Sequence, residues 1–141
     1  MNAEHNEVQF RSAVYELLSL AFLYPDRGTV ALLRRGAEEL TAWASDEVGE
    51  IEDALQELVR ELDKAGGQLE ADYEDVFGHT VSSDCPPYEG EYGQAHVFQK
   101  SQTLADLSGF YGSWGVRVSP DLHDRIDHVS VEMEFMHLLA L

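Results

Sequence analysis

An all-α fold follows from three observations. Apolar residues recur at spacings of three and four along most of the chain, glycines and prolines fall where those stripes stop, and no stretch alternates apolar and polar residues with the period of a strand. The chain has 141 residues, 44% of them hydrophobic and 10% aromatic. A chain of that length buries roughly two thirds of its unfolded surface in a single core. The expectation is one helical domain over residues 1–141, a bundle of about six helices without internal repeats or low-complexity runs.

Between Phe10 and Tyr24 the first stripe comprises Val14, Leu17, Leu18, Ala21 and Phe22, and Pro25 stops it. After the turn Pro25-Asp26-Arg27-Gly28, a second stripe of Leu33, Ala37, Leu40 and Ala44 runs to Ser45, with Trp43 beside it. Ser45 is placed to cap a third helix, with Asp46 and Glu47 in its first turn, Val48, Ile51, Leu55, Leu58 and Leu62 along one face, and Gly66-Gly67 at its end. Leu69, Tyr73, Val76 and Phe77 form a short fourth stripe that Gly78 terminates through a backbone conformation other residues resist. A loop occupies Thr80 to Glu91. The fifth helix begins after Glu91, is marked by Leu104, Leu107, Tyr111 and Trp114, and stops at Gly115. Beyond a loop at Pro120, the segment from about Leu122 to Leu141 carries Ile126, Val129, Met133, Met136 and Ala140 on one face and Val131, Phe135, Leu138 and Leu139 on another, which is the pattern of a central helix.

Twenty-seven acidic residues against nine basic ones give a formal charge of −18. Such a field repels phosphate backbones and anionic lipid headgroups, so nucleic acid is excluded as a partner and cationic segments are favoured. The same acidity also serves solubility, and with Lys64 and Lys100 as the only lysines it suits a salt-rich cytoplasm equally well. Cys85 is the single cysteine, so no intrachain disulfide forms, and a reducing, cytoplasmic compartment is expected. The opening Met1-Asn2-Ala3-Glu4-His5 lacks a basic, then apolar, leader, and no run is long enough for a bilayer span, so no stable membrane insertion is expected.

Two segments carry binding chemistry. In Cys85-Pro86-Pro87-Tyr88-Glu89-Gly90-Glu91-Tyr92 the proline pair fixes two φ angles and removes two amide donors, which holds Tyr88 and Tyr92 at low ordering cost. A loop of this kind is either one wall of a peptide groove or a stiff connector whose tyrosines pack on the core. Cys85 has no basic neighbour to lower its pKa and reads as an inert thiol. Asp127-His128 falls in the first turn expected for the last helix, where it receives a guanidinium or a backbone amide, or else Asp124 or Asp127 caps the helix beside a partly buried histidine. Asp124, His128 and Glu132 are spaced by four, which on one helix would line up a metal-binding enzyme site. The first helices, however, offer no matching Glu-x-x-His pair. Glu132 and Glu134 stand two apart and face different ways, so they cannot share a substrate atom. Nucleotide loops, nucleophile elbows and Cys-x-x-Cys pairs are absent from the sequence, and no catalysis, cofactor or metal is expected.

Tyr73-Glu74-Asp75-Val76-Phe77-Gly78, then Cys85-Pro86-Pro87-Tyr88-Glu89, then Asp127-His128 leading into Glu132-Met133-Glu134-Phe135-Met136 resembles the TorD/DmsD/NarJ family of redox enzyme maturation chaperones. The first helix, with Tyr15, Leu18, Phe22 and Pro25, is similar to that family's start. The resemblance implies an all-helical, non-catalytic cytoplasmic chaperone. Its partner would be the twin-arginine signal peptide, or the N-terminal segment, of a molybdenum-cofactor oxidoreductase subunit, held back from export until the cofactor is loaded. It implies a peptide-binding surface made of Tyr73, Val76, Phe77, Pro87, Tyr88, Asp127 and His128, with Asp127 and either Glu89 or Glu91 orienting the arginines. A generic helical adaptor and a metal enzyme on Asp124, His128 and Glu132 are the competing readings. Where the family has a proline before its Asp-His pair, Ile126 stands here. The family also continues with further helices, so the expectation is either a C-terminally truncated chain or a homodimer completed through its last helix.

Overall fold

The computed structural model describes residues 3–44, 49–78, 84–92, 97–122 and 124–141. Six helices account for most of them: α1 (Ala3–Ala21), α2 (Arg27–Ala44), α3 (Gly49–Ala65), α4 (Leu69–Phe77), α5 (Val97–Ser113) and α6 (Val129–Leu139). A 3₁₀ turn over Glu89–Glu91 lies between α4 and α5. Among the described residues there is no strand, only an isolated antiparallel bridge between Tyr88 and His128, so the all-α expectation holds.

The first core lies among α1, α2 and α3. All four predicted stripe positions of α2, Leu33, Ala37, Leu40 and Ala44, are buried, and Leu17 of α1 and Leu55 of α3 close on them. Ile51, Leu58 and Leu62 pack around the edge as the α3 pattern predicts. Asp26 starts α2: its Oδ1 accepts from the Thr29 amide at 2.7 Å, and that amide hydrogen bond holds the carboxyl below its ordinary pKa. The predicted cap at Ser45 and the first turn through Val48 lie outside the described residues. Gly66 (φ 55°), Gly78 (φ 77°) and Gly115 (φ 76°) follow the ends of α3, α4 and α5, in backbone regions that favour glycine.

Two boundaries differ from expectation. α1 begins earlier than Phe10 and ends at Ala21, so Phe22, Leu23 and Tyr24 run outside the helix. Its buried arc is Phe10, Ala13, Val14, Leu17 and Leu20 rather than one including Leu18, which is exposed. The reason is that α1 packs on both α2 and α6, and two neighbours set its inward arc. The second difference is larger. α6 begins at Val129, not near Leu122, so Asp127 and His128 precede the helix instead of forming its first turn. His128 is the N-cap, in extended conformation (φ −73°, ψ 138°). The periodicity of Leu122 and Ile126 continues that of α6, but the backbone of this stretch is committed elsewhere: the Glu89 amide donates to the Asp127 carbonyl (3.0 Å) and the Val129 amide to the Pro87 carbonyl (2.9 Å).

A second core joins α5 to α6 through Tyr111, Val131 and Phe135, with Leu107, Val116, Val118 and Leu122 against them. α6 is only partly central, because Met136, Leu138 and Leu139 are exposed. A polar joint ties it to α1. Ser12, only 2% exposed, donates from Oγ to the His137 carbonyl (3.1 Å), and His137 Nδ1 lies 2.9 Å from the Ser12 carbonyl and 2.8 Å from Ser12 Oγ.

Three outcomes follow from this packing. Leu40→Ala should cost about 2–5 kcal/mol through lost contacts and the cavity left, and Ser12→Ala ~1–3 kcal/mol by stranding His137 groups. Urea unfolding with an unchanged m-value checks both. The third concerns acid. The His128 pKa is lowered, chiefly by burial, with Asp124 and Asp127 opposing, and its Nδ1 accepts from the Ser130 amide at 3.2 Å. With the folded pKa below the ordinary 6.5, the unfolded chain gains a proton first as pH falls. Stability from the neutral imidazole is therefore complete above about pH 6.5 and declines as pH drops toward the folded pKa. His128→Asn, which can still cap, should lose less melting temperature than the parent between about pH 7 and pH 5; a constant difference between the two proteins would refute this role.

Candidate functional site

The loop from Asp84 to Tyr92 is stitched to the start of α6. Pro86 is buried, the Pro87 carbonyl and Glu89 amide make the two hydrogen bonds that flank the Tyr88–His128 bridge, and the Tyr88 ring meets the His128 ring edge-on with centroids 5.1 Å apart. The Tyr88 hydroxyl donates to Asp124 Oδ1 at 2.8 Å. Burial, then the Asp124 hydrogen bond and charge, push its pKa up to about 12, so it remains a phenol and a donor.

Beneath this bridge lies an ion cluster. Asp127 is fully buried. Its carboxylate accepts from Arg125 through both oxygens, Nε to Oδ1 at 2.9 Å and Nη2 to Oδ2 at 2.6 Å, and from the Gly90 amide at 3.1 Å. Arg125 Nη1 reaches Glu91 Oε1 at 2.7 Å, and Lys100 from α5 bonds the other Glu91 oxygen. The guanidinium carbon lies 4.6 Å from the Tyr88 ring centroid, a cation–π stack. Burial works against the Arg125 charge, but Glu91 and Asp127 outweigh it and hold its pKa above the ordinary value. Hydrogen bonds from Lys100 and Arg125 lower that of Glu91. Gly90 has no room for a side chain, since a Cβ there would sit 2.9 Å from Asp127 Oδ2.

α4 brings a second set of rings to the same place. Tyr73 packs on Phe77 (4.7 Å) and Tyr24 (5.5 Å), and Phe77 on Phe22 (6.4 Å). The Tyr73 hydroxyl donates to the Phe22 carbonyl at 3.2 Å. Its pKa is raised first by burial and then by the Asp124 carboxylate, and Tyr73 in turn raises that of Tyr88. Tyr73 of α4 and the Tyr88–His128 pair therefore lie within electrostatic reach of one carboxylate, Asp124. Tyr24 extends the row outward, donating to Glu74 at 3.2 Å and to Glu70 at 3.5 Å.

Of the predicted site residues, Tyr88 and His128 are in contact, with Pro87 supporting them through its carbonyl, and Tyr73 and Phe77 form a second pair whose tyrosine is within electrostatic reach of the first. Val76 is 50% exposed on α4, and Tyr92, at 67%, stands clear of the ring cluster. Asp127 and His128 are buried rather than presented, and the Asp127 carboxylate is already matched by Arg125 inside the chain. Asp124, His128 and Glu132 do not share a helix face, because only Glu132 is in α6, and among the described residues no three His, Cys, Asp or Glu side chains are grouped to hold a metal. The sequence reading missed Arg125, Gly90 and Tyr24, and used Asp124 as a helix cap or a metal candidate. The spacing Arg125-x-Asp127 was the available signal for the fork. Two apolar grooves, one along Leu17, Leu20, Leu40 and Trp43 and another along Tyr111, Val118, Phe135 and Leu138, contain none of the predicted peptide-binding residues.

No described helix is long and apolar enough to cross a membrane. A family model described as Nitrate reductase delta subunit matches residues 37–141, a span containing α4, the proline–tyrosine loop and the Asp-His turn. No curated protein and no solved structure matches the chain. With the match extending over well more than half its length and over every motif residue from Tyr73 to His128, the chain belongs to the nitrate reductase delta subunit family, a family of non-catalytic chaperones in molybdoenzyme maturation.

Proposed function

We propose that this chain acts in the cytoplasm by binding the twin-arginine signal peptide, or the equivalent N-terminal segment, of a molybdoenzyme catalytic subunit, and retains it while the cofactor is loaded and before export. The observation that carries this reading is that two ring pairs, Tyr73 with Phe77 and Tyr88 with His128, are linked through Asp124, which accepts from the Tyr88 hydroxyl and whose charge reaches Tyr73. A signal peptide combines arginines with an apolar run, and this face combines carboxylates with rings and the half-exposed Val76. Tyr73, Val76, Phe77, Pro87 and Tyr88 form the contact surface. Asp127 and His128 act from beneath it, by holding the loop that presents Tyr88.

The charge of −18 acts at longer range, drawing a basic segment in and raising the association rate more than the final affinity. A generic adaptor would bind through apolar contact alone and would not distinguish arginine-bearing from arginine-free segments.

Isothermal titration with a synthetic twin-arginine signal peptide tests the reading. Tyr88→Ala and Phe77→Ala should each weaken binding by about 2 kcal/mol, about thirtyfold in Kd, with circular dichroism unchanged. Raising the salt should slow association more than it speeds dissociation. Unchanged affinity in both variants would remove this surface as the binding site.

A further inference from the structure

Arg125 sits where a ligand's arginine would be expected. It forks onto both oxygens of Asp127, reaches Glu91 and stacks on Tyr88, the ring with the central place in the proposed peptide surface. We propose that Arg125 is an in-chain occupant of a guanidinium subsite made by the face of Tyr88 and the carboxylates of Asp127 and Glu91, and that an arginine of the bound segment displaces it. The inference rests on the peptide-binding reading above and adds to it a self-blocked resting state.

Three features separate this from a plain structural staple. First, the subsite keeps its shape when Arg125 leaves: the Gly90 amide still donates to Asp127, Lys100 still holds Glu91, and the Tyr88 hydroxyl is anchored on Asp124. The bridge hydrogen bonds that fix the loop are all backbone and do not involve the guanidinium. Second, Arg125 is reachable, with 31% of its side chain exposed against 0% for Asp127. Third, it precedes α6 in a turn and not in a helix, so swinging it out breaks no helical hydrogen bond. Exchange of one guanidinium for another then conserves the fork geometry and the charge balance, which spares the subsite the large cost of an unmatched buried carboxylate.

Two probes test this on the full chain. Arg125→Ala and Arg125→Gln should melt below the parent and regain stability in millimolar ethylguanidinium but not in ethylammonium, which carries the charge without the fork. Using both variants keeps this arm informative if the alanine variant does not fold. The twin-arginine peptide should bind Arg125→Gln about tenfold or more tightly than the parent, as expected when the open state is populated about one part in ten or less, and a twin-lysine peptide should lose that gain. If the parent binds the peptide and Arg125→Gln binds it equally or more weakly, Arg125 is a staple and the proposal is overturned while the peptide reading stands. If neither protein binds the peptide, the peptide reading fails and exchange with it, and the ethylguanidinium arm alone decides whether the guanidinium subsite exists.

Discussion

A fully buried carboxylate has to be matched, and the matching of Asp127 organises this end of the molecule. An ion of that size stripped of water costs several kcal/mol unless opposite charge and hydrogen bonds replace its hydration. Arg125 supplies the charge and two hydrogen bonds, and the Gly90 amide a third. Because Gly90 lies in the loop and Arg125 before α6, satisfying one side chain brings two distant segments into register. The Tyr88–His128 bridge, the ring contact and the Tyr88 hydrogen bond to Asp124 share the register that the Gly90 amide sets. Glycine is required at position 90 for the same reason, since the loop backbone must come within hydrogen-bonding distance of a buried side chain.

How much of this was legible in the sequence depends on how local the determinant is. The α2 stripe of Leu33, Ala37, Leu40 and Ala44 was read without error because one helix face meets one core. The glycines after α3, α4 and α5 were read because positive φ is a property of the residue itself. The start of α6 was misplaced because Leu122 and Ile126 are in phase with it, while the Asp127 carbonyl and the Val129 amide are engaged with a loop some forty residues earlier. Periodicity contains no information about that partner. The α1 face was misjudged similarly: Ser12 is buried against His137, and a serine is not counted as core by pattern.

The same distinction holds at the site. The aromatic positions Tyr73, Phe77 and Tyr88 stood out by residue type. The role of Asp127 did not stand out, because an acidic residue beside a histidine is expected at a helix start, exposed and available. Its buried carboxylate is matched by Arg125, through a turn geometry that sets residues two apart onto one another. His128 likewise serves as a cap whose neutral form the burial enforces.

The basic residues of this chain are few, and most of those paired within α1, α2 and α3 lie on exposed surface, where an ion pair contributes little. Arg125 and Lys100 differ in converging on one carboxylate, Glu91. Even so, acid remains in excess around them. The Glu132 carboxyl, in the first turn of α6, is pushed above its ordinary pKa by burial and then by the charges of Glu89 and Asp127, and one of its oxygens is buried without a hydrogen-bond partner. Its difficulty in ionising reports burial first, and only then the like charges of Glu89 and Asp127.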